Sequence, residues 1–528
     1  MKNINNILKK VCIFSLVATM ASCDLLDTKP YDFVAPETFY KNESDCNMAL
    51  AAVYWTMARE HVYGSNYSGI FSNLDDLSYY TRKDQTSAAS NLHNASNGDV
   101  YNTWEKIYSG INNANMLLDN VDKASFSDEK ARMRIKGEAK FLRAYYHFIL
   151  VQAWYEVPIR KETVSDITKS SLAPTPHAEA LDWIIKEMED CIDMVDDSSY
   201  DKSPSHVKKT VVEGILARVC LFRAGATGNG GKAFYEKAAK YAKAVYDSHK
   251  HSLNPNVYTL WKNVCSNQYD KEFNESMWEV EFLGTRDDGN FTEGRMGNVL
   301  GNLQENGNND GAGYTYAFFG GSLILWDMFD AKDVRRDLSM APYKLNNKDV
   351  QVAWTDKQLV ERRCGKFRRE WESSKVKNKN YTEENFCIIR YADILLMLAE
   401  AENEANQGPT ALAYACLKEI RDRAGISEVK GVSYTDFQQT VRDERARELC
   451  FEGLRKYDLV RWGLYYKAVH DDLGVAVADK RWSTASMYLG AAQFVNNTKE
   501  GQHEFLPIPY KELSVNTSMV QNKYWLNK

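Results

Sequence analysis

Paired carboxylates at Asp75-Asp76 and Asp287-Asp288, nine histidines and a glycine-rich turn before Lys232 are the groups whose types could carry catalysis in this chain. Two acids flanking a glycosidic bond make a glycosidase, but that mechanism is defined by their separation across a sugar, and adjacent acids in loops are ordinarily solvated. The histidines (His61, His93, His147, His177, His206, His249, His251, His470 and His503) are scattered, and neither an H-E-x-x-H helix nor a G-x-S-x-G elbow occurs. In the turn Gly225-Ala226-Thr227-Gly228-Asn229-Gly230-Gly231-Lys232, Ala226 stands where a phosphate loop needs glycine and Ala233 where it needs Ser or Thr. The turn also follows a helical run rather than a strand, so it reads as a helix connector. Asn306, Asn308, Asp310 and Gly311 resemble the front of a calcium loop, yet Asn306 takes position 1 and Ala317 takes position 12, where a bidentate Glu belongs. No metal and no cofactor is expected. Ten cysteines are present without a C-x-x-C pair. Those in helical apolar patterns, such as Cys220 and Cys450, are expected as buried free thiols, with few or no disulfides.

Aromatic rings are plentiful for cores and for ligand platforms alike, with 31 Tyr, 21 Phe and 12 Trp. Trp104, Trp154 and Trp462 fall on helical apolar stripes and are assigned to the core. The segment from Gly64 to Ser96 carries Asp75, Asp76, Tyr79, Tyr80 and Arg82 in a polar setting, and a glycine-rich region further on supplies Tyr314, Tyr316 and Trp354 away from any helical stripe. These rings are candidates for stacking against a ligand, and Asp75, Asp76 and Arg82 for polar contacts at its edge.

The elements that must position them are mostly helices. With 44% hydrophobic and 26% charged residues the chain is of ordinary globular composition, and only 11 prolines interrupt it. Lys+Arg of 66 against Asp+Glu of 72 gives a net charge of −6 without a basic stripe, which argues against nucleic acid as a partner. Lys2, Lys9 and Lys10 precede the apolar run Val11 to Met20, which is too short to span a bilayer and reads as a signal peptide over residues 1–22. Its end, Met20-Ala21-Ser22-Cys23, resembles a lipoprotein cleavage box with Cys23 as the lipidated residue, plain secretion with a free Cys23 being the alternative.

Apolar spacings of three and four predict helices over 44–60, 99–122, 127–156, 177–195, 207–224, 233–248, 388–406 and 410–423. The last four form two pairs with small residues at their crossings (Gly214, Ala217, Ala238, Ala242), similar to tetratricopeptide units. Between them, residues 265–386 are crowded with Gly and Asn and lose the helical period, the mark of a loop-rich insertion. Glu400, Glu402 and Glu404 with Arg442, Arg445, Arg447 and Arg455 read as ion-paired helix faces.

Three stretches together resemble the SusD/RagB family of outer-membrane nutrient-binding lipoproteins: Cys23-Asp24-Leu25-Leu26-Asp27 with Pro30, Phe39 and Tyr40; Arg390-Tyr391-Ala392-Asp393-Ile394-Leu395-Leu396 to Asn403, followed by the Arg-rich run Arg442 to Gly463; and Leu506-Pro507-Ile508-Pro509 with Glu512, Asn516, Gln521 and Asn522. Physically these are scaffold: acids at helical spacing that an arginine-rich helix over 442–462 can pair, and an extended tail that docks. Cys450 and Lys456 depart from the family's usual residues. The resemblance implies an all-α, tetratricopeptide-like body over 40–264 and 387–528, with the 265–386 insertion on the ligand side, in a single domain from residue 23. It implies capture of glycans at the outer membrane for a SusC-like TonB-dependent transporter, anchoring by the lipid on Cys23, and no catalysis. Uptake of peptide on the same scaffold, or a surface hydrolase using carboxylates between Asp287 and Asp310, are the alternatives.

Overall fold

The computed structural model describes residues 39–82, 88–164, 170–196, 203–284, 292–305, 311–481 and 488–526. Cys23 and the signal segment, Asp287, Asp288 and Asn306 to Asp310 lie outside the described residues.

Among the described residues seven α-helices run before the insertion: α1 Glu43–Trp55, α2 Gly98–Asn120, α3 Glu129–Trp154, α4 His177–Glu189, α5 Lys209–Ala224, α6 Lys232–Asp247 and α7 Val257–Cys265. The first is capped by Asn42, whose side-chain oxygen accepts from the Asp45 N–H at 3.1 Å while the Asp45 carboxylate accepts from the Asn42 N–H. Consecutive helices pack on one another from α1 to α6. Gly110 of α2 makes one of these approaches possible, because a Cβ there would stand 2.7 Å from Thr56 and 2.8 Å from Tyr146.

After the insertion come α8 Tyr391–Asn406, α9 Ala411–Ala424, α10 Tyr434–Leu449 and α11 Arg455–Trp462. Strand β2 (Ser276–Val280) pairs antiparallel with β6 (Phe386–Arg390), bringing the two ends of the insertion together, and α6 packs directly on α8 as though the chain were uninterrupted. The body is therefore all-α and tetratricopeptide-like. Gly214, expected at the α5/α6 crossing, instead faces Ile389 and Ile394, which a Cβ would meet at 2.8 and 2.9 Å.

Further sequence expectations need correction. The helix expected from residue 388 starts at Tyr391, because Ile388 and Ile389 belong to β6. The single arginine-rich helix expected over 442–462 is broken between α10 and α11, where Phe451 (φ 64°) and Gly453 (φ 71°) turn the chain through the left-handed region. The break lets the two halves serve different acids. Arg445 of α10 pairs with Asp393 and Asp458, and Arg461 of α11 with Glu400 and Asp458. The proposed Glu402 and Glu404 partners are occupied elsewhere, Glu402 by Thr410 and Glu404 by Tyr434 and Gln438.

At the centre lies a desolvated ionic cluster. Arg335, Arg390 and Arg423 all converge on Glu448, and Arg390 also reaches Glu275 and Glu452 at 3.0 and 2.8 Å. Burial alone would push the Glu448 carboxyl up, but the three guanidiniums win and hold it well below the usual carboxylate range. The tail beyond α11 carries α12 (Tyr488–Asn497) and α13 (Tyr510–Val515). It docks through Trp154, whose indole N–H donates to Pro507 O at 3.0 Å, and through Asn522, which donates to Trp154 O and Leu506 O.

Candidate functional site

Burial alternates along residues 314–318: Thr315 and Ala317 are buried while Tyr314, Tyr316 and Phe318 are half-exposed. The backbone of this stretch is fixed from below. Tyr316 N and Ala317 N donate to Asn298 O at 3.0 and 3.2 Å, Phe318 N donates to Val299 O at 2.8 Å, and Arg369 Nη1 donates to Tyr314 O at 2.6 Å. Ala317 sits at φ 49°, a left-handed conformation that the surrounding bonds hold in place.

Next to it, β1 (Ser78–Tyr80) pairs antiparallel with β3 (Phe319–Gly321), and Thr81 N donates to Phe318 O at 2.7 Å. Gly320 is required there, since the Tyr79 ring lies over it and a Cβ would stand 2.7 Å from the phenol oxygen. This pairing aligns a continuous row of rings. Tyr314 meets Tyr316 edge to face at 4.9 Å, Tyr316 stacks on Phe318 at 5.1 Å and 12°, and Phe318 meets Tyr80 at 5.5 Å. Cations flank the row: the Arg82 guanidinium is 4.5 Å from the Phe318 centroid and 5.5 Å from Tyr316, and the Lys379 ammonium is 5.2 Å from Tyr314. Among the described residues neither cation forms an ion pair.

Four of the seven expected binding residues, Tyr80, Arg82, Tyr314 and Tyr316, thus come together. Asp75 and Asp76 do not join them: at 2% and 3% exposure they lie beneath the row rather than on it. Asp75 Oδ1 accepts from Leu77 N and Ser78 N at 2.9 and 3.0 Å, shaping the turn into β1. Asp76 is held bidentate by Arg455, both contacts at 2.8 Å, which ties this turn to the start of α11. Burial, and then the neighbouring Asp76 charge, push the Asp75 carboxyl up to about 7. Trp354 is also apart. It follows the hairpin of β4 (Tyr343–Leu345) and β5 (Gln351–Ala353), is 8% exposed, and has Lys344 5.3 Å over its ring. Its indole N–H is buried without a partner.

Phe318 and Lys379 were not expected. Phe318 continues the period-two spacing of Tyr314 and Tyr316, which was readable. Lys379 had no local signal, since its place depends on how the 372–384 segment folds back.

The histidines offer little chemistry. Burial holds His147 and His177 neutral, at about 3 and about 4, and their Nδ1 atoms contact the carbonyl oxygens of Arg143 and Tyr155 at 2.8 Å. Among the described residues no three His, Cys, Asp or Glu side chains gather as metal ligands would. The eight described cysteines are buried and unpaired. The turn at 225–231 joins α5 to α6 and docks through Ala226 N on Arg461 O at 2.6 Å, a connector as expected.

A row of half-exposed rings with free cations at its margin suits a flat ligand with apolar faces and polar edges, and known proteins carry the same fold. Residues 346–525 match the SusD family model, and residues 24–221 match a model described as starch-binding and associating with the outer membrane. SusD-like protein P25 of Formosa agariphila is 25% identical, aligned over 97% of each chain. A SusD homologue from Bacteroides thetaiotaomicron superposes with a TM-score of 0.83 at 26% identity, covering 93% of this chain and 98% of its own. A laminarin-binding SusD-like protein gives a TM-score of 0.72 at 25% identity, covering 92% and 99%. Matched in both its halves and aligned over nearly its whole length, the chain belongs to the SusD/RagB family.

Proposed function

We propose that this protein is a surface glycan-binding lipoprotein that captures oligosaccharide on the Tyr314–Tyr316–Phe318–Tyr80 row and passes it, chemically unchanged, to a SusC-like TonB-dependent transporter in the outer membrane. The row itself carries the reading. Sugar rings present apolar C–H faces that stack on aromatics, while their hydroxyls take hydrogen bonds from Arg82 and Lys379. Support comes from the family description, which names starch binding and the outer membrane, and from the neighbour that binds laminarin. Among the described residues no helix is long and apolar enough to cross a membrane, which fits attachment through a lipid on Cys23.

The test is titration of the full chain with maltohexaose, laminarihexaose, xylohexaose and mannohexaose. At least one should bind, and replacing Tyr314, Tyr316 and Phe318 together with Ala should abolish binding. By analogy with bases stacked on aromatic side chains, each ring is worth roughly 1–3 kcal/mol, so single changes should weaken binding several-fold or more. A full panel without binding, a triple variant of unchanged affinity, or release of shorter products would overturn the reading. Detergent extraction of the native protein should bring an outer-membrane barrel with it, and its repeated absence would count against the transfer step.

A further inference from the structure

A cavity of about 600 Å³ opens between α2, α13 and the segment around Arg160, and shares no lining residue with the ring row. One face of α2 is buried through Val100, Trp104, Ile107 and Ile111. The adjoining stripe, Tyr101, Glu105, Tyr108 and Asn112, recurs at intervals of four, three and four and lines the cavity. Tyr108 is fixed there: its hydroxyl donates to Pro158 O at 2.8 Å and its ring lies 4.9 Å from Trp104.

Two cations reach the same space. The Lys511 ammonium stands 4.2 Å from the Tyr101 centroid, and Arg160 is anchored by donation from Nη2 to Ser170 O. Among the described residues neither forms an ion pair. Two carboxylates line the same cavity, Glu105, which pairs with Lys106 at 2.8 Å, and Glu512, which takes a hydrogen bond from Asn516 at 2.8 Å. A wholly apolar guest would cover the Lys511 ammonium and the remaining Arg160 N–H groups without offering them an acceptor. A polyanion would face the two carboxylates. Groups that both donate and accept, carried on a ring with apolar faces, satisfy all of these walls at once, and the volume lies in the range of small-ligand sites.

We infer that this cavity is a second binding site, for a short neutral oligosaccharide, independent of the ring row. The inference rests on the glycan reading above, and the experiment separates the two. The full chain is titrated calorimetrically with maltotriose, laminaritriose, xylotriose and mannotriose, ligands too short to bridge two sites. Wild type should take up two equivalents of a trisaccharide it binds. The Tyr314→Ala/Tyr316→Ala/Phe318→Ala variant should retain one, and adding Asn112→Trp, which fills the cavity, should lower the remaining affinity at least tenfold. Tyr101→Ala with Lys511→Ala in the same background guards against misfolding of the tryptophan variant and should have the same effect. One equivalent in wild type and none in the row variant would overturn the second site and leave the glycan reading standing. Residual binding indifferent to both cavity variants would overturn it as well. No binding of any trisaccharide or hexasaccharide by wild type would remove both.

Discussion

Arginines and aromatic rings dominate two regions of this molecule to opposite ends. In the cluster around Glu448 the guanidiniums are almost wholly withdrawn from water and every one is met by carboxylates, so each charge is balanced inside the fold. Along the Tyr314 to Tyr80 row the rings are half-exposed, their backbone is tied down from beneath, and Arg82 and Lys379 stand over them with no ion pair among the described residues. Arg390, Glu448 and Glu452, which come from the stretches that carry the family resemblance, all belong to the first region. The signature stretches and the ring row are therefore different things here: the first specify packing, the second leaves its rings at the surface. Arg455 joins the two, since it comes from the signature stretch and grips Asp76 under β1.

The comparison is broken most directly at Glu448. Ion pairs of this kind contribute little net stability because desolvation offsets attraction, but removing one partner strands the others. Glu448→Ala removes the one carboxylate shared by Arg335, Arg390 and Arg423 and leaves them crowded on Asp333, Glu275, Glu444 and Glu452 around a cavity, and should cost about 3–5 kcal/mol, read as a fall of the melting temperature or loss of soluble protein. A variant that melts within a few degrees of wild type would mean that the cluster admits water freely. Trp354→Ala comes next. A buried tryptophan truncated to alanine costs about 3–5 kcal/mol, reduced here towards the lower end because the indole N–H has no partner to lose. Stability should fall while glycan affinity stays within twofold of wild type. The reverse pattern, lost affinity with an unchanged melting temperature, would place Trp354 back among the binding residues, as its sequence setting suggested.

Those outcomes bear on what a sequence can disclose. The helices were legible because their apolar residues recur at three and four, and the insertion because its glycines and asparagines erase that period. The break at Phe451 was not, since a non-glycine residue in a left-handed turn leaves no local mark, and continuous helix-forming residues on either side mask it. Three of the four rings of the row were legible, because Tyr314 and Tyr316 lie outside any helical stripe and Tyr80 sits in a polar segment. Asp75 and Asp76 misled for a physical reason: an acid in a polar loop and an acid folded under a strand have the same neighbours in sequence. Only the partner from position 455, 379 residues away, distinguishes them.

Asp75 offers the finest cut between the two regions, because it is a buried acid with no basic partner of its own directly beneath an exposed site. Its carboxyl is pushed up to about 7, against about 3.9 in an unfolded chain. The folded state consequently binds the proton more tightly between these values, and this group's contribution to stability is present below about pH 4 and is lost as pH rises towards 7. The slope approaches about 1.4 kcal/mol per pH unit at most. His147 and His177 act in the opposite sense, since their depressed values favour the unfolded state as pH falls below about 6.5. The two trends partly cancel in wild type, so the comparison must be with Asp75→Asn, which keeps an oxygen for Leu77 N and Ser78 N but cannot ionise. Urea unfolding of both proteins at pH 5 and pH 7.5 should show wild type losing stability relative to the variant by one to a few kcal/mol, on the order of the linkage above. Parallel curves would mean that Asp75 is ionised throughout this range and that Arg455 serves both acids rather than Asp76 alone.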